Sequence, residues 1–241
     1  MKRPEVVFVD VGGVFHLPRL ERVSAALGEL GYDSIDVPRL YRAHHSAIAE
    51  LDRRPGVVED LQRNEAPPAV IFAAYDRGLA RALGVADDLL DAATVALSDI
   101  FAETGAWGTL IPGSLEGLRA LAATGARLAI VSNSDGTVEE RLRREGVVQV
   151  GEGPGVPVEI IVDSAAVGFQ KPDPRIFNVA LEAMAVDSDR AFHVGDSVAM
   201  DVHGALAAGV TPIHLDPFGD CPGGPSHEHA RTLSELAELL S

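Results

Sequence analysis

The chain has 241 residues, 46% of them hydrophobic, and 36 acidic against 20 basic side chains give a formal net charge of −16. That length supports one large domain or two modest ones with a sizeable core, and the composition excludes a disordered chain. The acidity, with no Lys/Arg run longer than two, excludes a nucleic-acid footprint or an anionic-lipid surface, and a single cysteine, Cys221, excludes an intramolecular disulfide and any thiolate metal cage.

Lys2-Arg3 precedes only four consecutive apolar residues, Val6 to Val9. A secretory core needs about 7–15 and a membrane span about 20, so the expectation is a cytoplasmic protein with no membrane partner, in which Cys221 is an ordinary loop thiol. Glu5 to Asp10 reads as a buried strand running into the Gly12-Gly13 turn. From Leu17 to Trp107 the periodicity is helical: Leu20, Val23, Leu27 and Leu30 share one face. Further helices are predicted over Val37 to Leu51, Ala69 to Leu83 and Asp87 to Glu103, separated by Pro55-Gly56, Pro67-Pro68 and Gly84. Strands then alternate with helices. The strands are Arg127 to Ser132, Val158 to Asp163, Ala191 to Asp196 and, more weakly, Pro212 to Leu215. The helices are Ser114 to Ala123, Thr137 to Glu145, Pro174 to Ala185, Met200 to Ala208 and a terminal Leu233 to Leu240. This pattern predicts an α/β fold, a parallel Rossmann-like three-layer core interrupted by an all-helical insertion. The boundaries read as 1–16 with 108–241 for the core and 17–107 for the cap.

Asp10, Ser132-Asn133, Lys171, and Asp196 with Asp201 each follow a strand, so a parallel sheet brings them to one crevice. A carboxylate nucleophile, a hydroxyl, an ammonium and further carboxylates suit an oxyanion together with a divalent cation. A cation between Asp10 and Asp196 removes their mutual repulsion, and Lys171 offsets an incoming phosphate. Only two basic residues are lysine, Lys2 and Lys171. In a chain this rich in arginine, a lysine at the motif indicates a place for a compact point charge.

Four segments in order resemble the motifs of the haloacid dehalogenase superfamily of hydrolases: Phe8-Val-Asp10-Val-Gly12-Gly-Val14, Val131-Ser132-Asn133, Gly168-Phe-Gln-Lys171-Pro-Asp-Pro-Arg-Ile-Phe177 and Val194-Gly-Asp196-Ser-Val-Ala-Met-Asp201. The resemblance spans nearly the whole chain, and the helical insertion sits where the family carries a cap. It implies that Asp10 attacks phosphorus to give an aspartyl-phosphate. Ser132 and Asn133 would bind phosphoryl oxygens and Lys171 would orient nucleophile and phosphate. Mg2+ would be held by Asp10, Asp196, the Gly12 carbonyl and Asp201, the last supporting the metal or Lys171. The partner implied is a small phosphate substrate, for a monomer or homodimer. Phosphoryl transfer rests on alignment and charge stabilisation, which these residues can supply.

One position departs from the pattern. Phosphatases of the superfamily carry a second Asp two residues after the nucleophile, and here that position is Gly12. General acid–base catalysis is worth about 10²–10⁴ in rate, so either the leaving group is a stabilised one or another residue replaces the acid; His16 is the nearest in sequence. Gly12 also fits a 2-haloacid dehalogenase-type hydrolase, or a phosphate-binding protein with weak turnover. Asp173 reads as the cap of the helix at Pro174, and Ser132-Asn133 as a second candidate cap pair. His44 and His45, adjacent on a helix, point about 100° apart and so are not expected to chelate together, with at least one solvated and either a candidate, with Tyr41 and Arg42, for the inner face of the cap. His227 and His229 read as a solvated loop.

Overall fold

A computed structural model describes residues 3–63 and 68–241; Lys2 and Pro67 lie outside the described residues. Strands β1 (Val6–Val9), β4 (Arg127–Ser132), β7 (Ile161–Asp163), β8 (Ala191–Gly195), β9 (Thr211–Leu215) and β10 (Glu228–Ala230) form one parallel sheet ordered β10-β9-β8-β1-β4-β7. A β-branched run is suited to its centre, and every side chain of β1 is buried. Alternation divides them: Val7 and Val9 join a core beneath α6 (Ser114–Ala123), α7 (Val138–Arg144) and α11 (Leu233–Leu240). Val6 and Phe8 join a second core against α9 (Arg175–Met184) and α10 (His203–Ala207). A further short helix, α8 (Ser164–Val167), follows β7.

Among the described residues, five α-helices lie between β2 (His16–Pro18) and β3 (Trp107–Leu110): α1 (Leu20–Gly28), α2 (Val37–Asp52), α3 (Val57–Arg63), α4 (Pro68–Ala82) and α5 (Leu90–Phe101). They bury their own core of Val23, Leu27, Leu40, Leu79, Leu83 and Leu97, to which Leu17, Ile111 and Ala199 are joined. β2 and β3 pair antiparallel, a ribbon that the absence of strand signal between Leu17 and Trp107 did not lead one to expect. At three and four residues, with Pro18 in one strand, it is too short to show a period.

Two further expectations change. Val158 to Asp163 is not one strand: β6 (Val156–Val158) pairs with β5 (Val148–Val150) in a small separate sheet, and only Ile161–Asp163 enters the main one. The break falls where Glu159 turns outward to take the guanidinium of Arg127 at 2.6 and 2.7 Å. The helix expected from Met200 opens earlier, with a π-helical turn over Val198–Val202 that contains Asp201. No helix among the described residues is long and apolar enough to cross a membrane.

Candidate active site

Asp10 leaves β1 with its amide donating to the Val194 carbonyl at 3.0 Å, which holds it beside the end of β8. Gly13 then takes φ +65°, and a Cβ there would stand 2.0 Å from Asp196 Oδ2. Only glycine allows backbone and carboxylate this close. Gly195 serves the same purpose at the end of β8, where a Cβ would lie 2.1 Å from Asp201 Cγ. As a result, carboxylate oxygens of Asp10, Asp196 and Asp201, all buried, lie within 4.8 Å of one another.

Lys171 Nζ lies between them, 2.8 Å from Asp10 Oδ1 and 2.6 Å from Asp201 Oδ1. Burial opposes its charge, but the two carboxylates outweigh burial and raise its pKa. Asp201 is fully engaged: Oδ1 also accepts from His193 Nε2 at 2.8 Å and Oδ2 from the Ser197 amide at 3.0 Å. Burial works against its ionised form, yet Lys171 and His193 prevail and hold its carboxyl well below the usual carboxylate range. Asp201 therefore serves the ammonium and the loop, while its carboxylate stays within 4.8 Å of those of Asp10 and Asp196. Asp10 is the opposite case. Burial, opposed by Lys171 and reinforced by Asp201 and Asp196, pushes its pKa up to about 7. Its Oδ1 is buried and, despite the nearby ammonium, has no well-directed hydrogen bond among the described residues. An under-satisfied carboxylate facing a second one is a donor set for a hard, oxygen-seeking cation, so the residues fit Mg2+.

Asn133 does not face this cluster as a free donor. Its side chain brackets the backbone of Lys171, accepting from Lys171 N at 2.7 Å and donating to Lys171 O at 3.1 Å. Ser132 is buried at the end of β4, opposite Asp163. Asp163, not Ser132-Asn133, caps the entry to α7, with Oδ2 accepting from the amides of Gly136 at 2.9 Å and Val138 at 3.4 Å. Asp173 Oδ1 accepts from the Arg175 amide at 2.9 Å, at the start of α9. His16 is not brought to the cluster; it is buried in β2 with Nε2 2.8 Å from Glu145 Oε2. Gly12 is outside the left-handed region, and the direction its side chain would take leads to the Trp107 ring, 3.5 Å from an ideal Cβ.

The helical segment contributes His44, His45 and Asp52 to the site, the last of which the sequence did not single out. His44 and His45 are both buried, and ring nitrogens of both lie within 4.8 Å of an Asp196 oxygen, against the expectation that one was solvated and the pair could not converge. His44 Nε2 meets Asp196 Oδ2 at 2.7 Å, and its Nδ1 meets the Tyr75 hydroxyl at 2.8 Å. Asp52, the last residue of α2, accepts from Ser197 Oγ at 2.8 Å, Val198 N at 2.7 Å and Ala199 N at 3.1 Å, tying the helix to the loop after β8. Burial pushes its pKa to about 7 against those hydrogen bonds. The signal available for both residues was their spacing of eight along one apolar-striped helix, which places them on a common face.

A parallel α/β sheet with carboxylates and a lysine at its strand ends defines a hydrolase-type site, and the chain belongs to the haloacid dehalogenase-like hydrolase family, whose sequence model matches residues 4–209. It is 35% identical over 212 residues to phosphoglycolate phosphatase of Rhodospirillum rubrum, covering 83% of this chain and 80% of that protein. With phosphoserine phosphatase of Thermus thermophilus it shares 39% identity over 116 residues, 48% of this chain and 44% of that one. The matched region likewise spans less than half the length of several other curated relatives. In fold it is similar to a haloacid dehalogenase-type hydrolase of Bacillus subtilis crystallised with magnesium, at 22% identity and a TM-score of 0.60 with all of both chains covered.

Proposed function

We propose that the protein is a Mg2+-dependent phosphatase acting on small organic phosphates through an aspartyl-phosphate on Asp10. The observation that carries this reading is the juxtaposition of Asp10 with Lys171 Nζ at 2.8 Å and with an Asp196 carboxylate within 4.8 Å. Asp10 and Asp196 would hold the cation, with the Gly12 carbonyl as a further donor. When bound, the ion neutralises charge on the phosphate and keeps Asp10 ionised. Asp10 supplies the attacking oxygen, Lys171 draws the phosphate towards it, and Ser132 and the strand-end amides receive the phosphoryl oxygens. Asn133 positions Lys171 by fixing its backbone, and Asp201 holds the ammonium from the other side.

His44 takes the acid–base duty left open by Gly12. Its Nε2 stands 2.7 Å from Asp196 and beside the Gly12-Gly13 turn, and the Tyr75 hydroxyl on Nδ1 fixes the ring. In this reading it delivers a proton to the leaving oxygen and then draws one from water attacking the aspartyl-phosphate. His16, committed to Glu145 and the ribbon, has no such part. The phosphatase names of the two relatives above favour phosphate over a haloacid, as does the second carboxylate, which carbon–halogen hydrolysis would leave as idle repulsion beside the nucleophile. Phosphate release from a panel of glycolate, serine, sugar and acyl phosphates, with and without Mg2+, tests the reading, with Asp10→Asn as the blank. Halide release from 2-haloacids without Mg2+ would replace it by the dehalogenase alternative. Silence towards both substrates, with phosphate still bound, would leave a binding protein.

A further inference from the structure

Beyond the Asp10 cluster, the described residues bring together a second set of metal-ligating atoms on the far strands of the sheet. β9 and β10 pair in a register that sets His214 opposite His229. The connection between them returns Cys221 and His227 to the same spot, and one donor atom from each of the four residues lies within 4.8 Å of the others.

The hydrogen bonds decide which ring nitrogens are free. A carbonyl oxygen can only accept, so His214 Nε2, 3.0 Å from the Asp196 carbonyl, must carry the proton, which leaves a lone pair on Nδ1. His214 is only 5% exposed, and that Nδ1 is buried with no partner among the described residues. The same logic applies to His227: Nδ1 donates to the Pro225 carbonyl at 2.6 Å, so Nε2 presents its lone pair, 3.4 Å from Cys221 Sγ. The Gly223 amide donates to that sulfur at 3.4 Å, a contact that offsets only part of the burial that pushes the thiol up. Metal-bound histidines are set in this way, with the remote N–H held by a backbone carbonyl.

We propose that His214, Cys221, His227 and His229 bind one zinc-class transition-metal ion, at a site separate from the cation site at Asp10. One thiolate with three imidazoles suits Zn2+ or Co2+ and is foreign to Mg2+. Tetrahedral Zn2+, with Zn–N of about 2.0–2.1 Å and Zn–S of about 2.3 Å, keeps its donors about 3.3–3.8 Å apart. Cys221 and His227 already stand at that separation. The other donors stand within 4.8 Å of one another and would close by about an ångström, and the exposed side chain of His229 has room to move. The ion would knot a loop that also grips α2: Asp220 takes Arg42 and, through its carbonyl, Arg53 at 2.7 Å, while Phe218 lies against Tyr41 and His45. Binding would thus stiffen the seat of the helical segment without touching the phosphate.

Cobalt alone tests the proposal, because Cys221 is the only sulfur of its kind in the chain. Full-length protein stripped with chelator and titrated with Co2+ should take one equivalent with a thiolate-to-cobalt charge-transfer band and tetrahedral visible bands, both erased by added Zn2+. Asp10→Asn should keep these bands. Cys221→Ser should lose the charge-transfer band, and His229→Ala, at an exposed position, should weaken Co2+ binding at least tenfold while leaving the metal-free far-UV spectrum unchanged. The proposal falls if the native protein gives only weak octahedral bands without charge transfer, if Cys221→Ser retains the band, or if folded His229→Ala binds Co2+ as tightly as the native chain.

Discussion

His44 of α2 and Asp196 at the end of β8 are 152 positions apart in sequence and 2.7 Å apart in space, both buried. The imidazole thus reaches a carboxylate that a cation would share, and its removal should affect chemistry more than folding. His44→Gln keeps bulk and polarity but cannot shuttle a proton. Turnover of alkyl phosphates should fall by about 10²–10⁴, with a much smaller loss of the first step for aryl phosphates, whose leaving groups need no proton. With p-nitrophenyl phosphate, rapid-quench kinetics should then show a burst of nitrophenol equal to the enzyme, because hydrolysis of the aspartyl-phosphate has become limiting. Equal losses for both substrate classes, without a burst, would remove His44 from the acid–base role.

The carboxyl of Asp10 stands near pKa 7 in the folded chain against 3.8 outside that environment. A pKa raised on folding means the folded state holds the proton more tightly, so this group's stabilising contribution is full below about pH 4 and is lost as pH rises to about 7. Metal-free Asp10→Asn should therefore be inactive yet more stable than the native chain at pH 8, by about 1–4 kcal/mol, and no more stable at pH 4. Thermal unfolding at the two pH values checks this. Mg2+ must displace that proton, so its affinity should climb about tenfold per unit below pH 7 and level off above it. Calorimetric titration across pH 5.5–8.5 (roughly the span on either side of that proton's loss) provides the measurement.

Lys171→Met tests the ammonium. It leaves Asp10 and Asp201 buried without their shared countercharge, a loss of about 3–5 kcal/mol for a broken buried pair. The variant should unfold at clearly lower temperature at pH 8 and recover part of the difference at pH 5, where Asp10 is protonated.

At the Gly-Gly turn, neighbouring glycines should respond differently. Gly13→Ala places a methyl group into Asp196 on a left-handed backbone and should abolish Mg2+-dependent turnover. Gly12→Asp meets no backbone strain, but its carboxylate would run against Trp107. It should give no gain by itself, whereas Gly12→Asp with Trp107→Ala should restore some turnover to His44→Gln. Steady-state rates on one alkyl phosphate for this set make the comparison.

Asp52→Ala removes the acceptor for two amides and a hydroxyl in the loop after β8. A loss of about 1–3 kcal/mol is expected. Limited proteolysis within residues 20–101 should accelerate, and a larger rise in KM than fall in kcat would mark it as a positioning residue.

How much of this was legible depended on what connects residues. Asp10, Lys171 and Asp196 each end or follow a short apolar run, and a parallel sheet collects such ends, so their convergence could be read directly from the sequence. His44 and Asp52 sit on a helix whose docking no strand register dictates; their eight-residue spacing gave a shared face but not what it faces. His16 shows the converse. Nearness in sequence implied nearness to Asp10, but the tight turn at Gly12-Gly13 folds the chain back and delivers the ring to Glu145. His214 and His229 become neighbours only through β10, three residues around Glu228 with too little apolar content to read as a strand.

The ribbon of β2 and β3 has a mechanical consequence. Both crossings between helices and sheet run side by side and are laced together, with the Ile111 amide on the Phe15 carbonyl and the Arg19 amide on the Ala106 carbonyl, each at 2.8 Å. The helices therefore hang like a leaf from one pair of chain crossings, fastened elsewhere by the side-chain contacts of Asp52 and of Arg53 with Asp220. On the proposed mechanism, lifting that leaf would withdraw the imidazole and the α2 carboxylate in one stroke, so that a molecule arriving at an open crevice would meet Asp10 without its proton donor, and hydrolysis would wait for the leaf to fall.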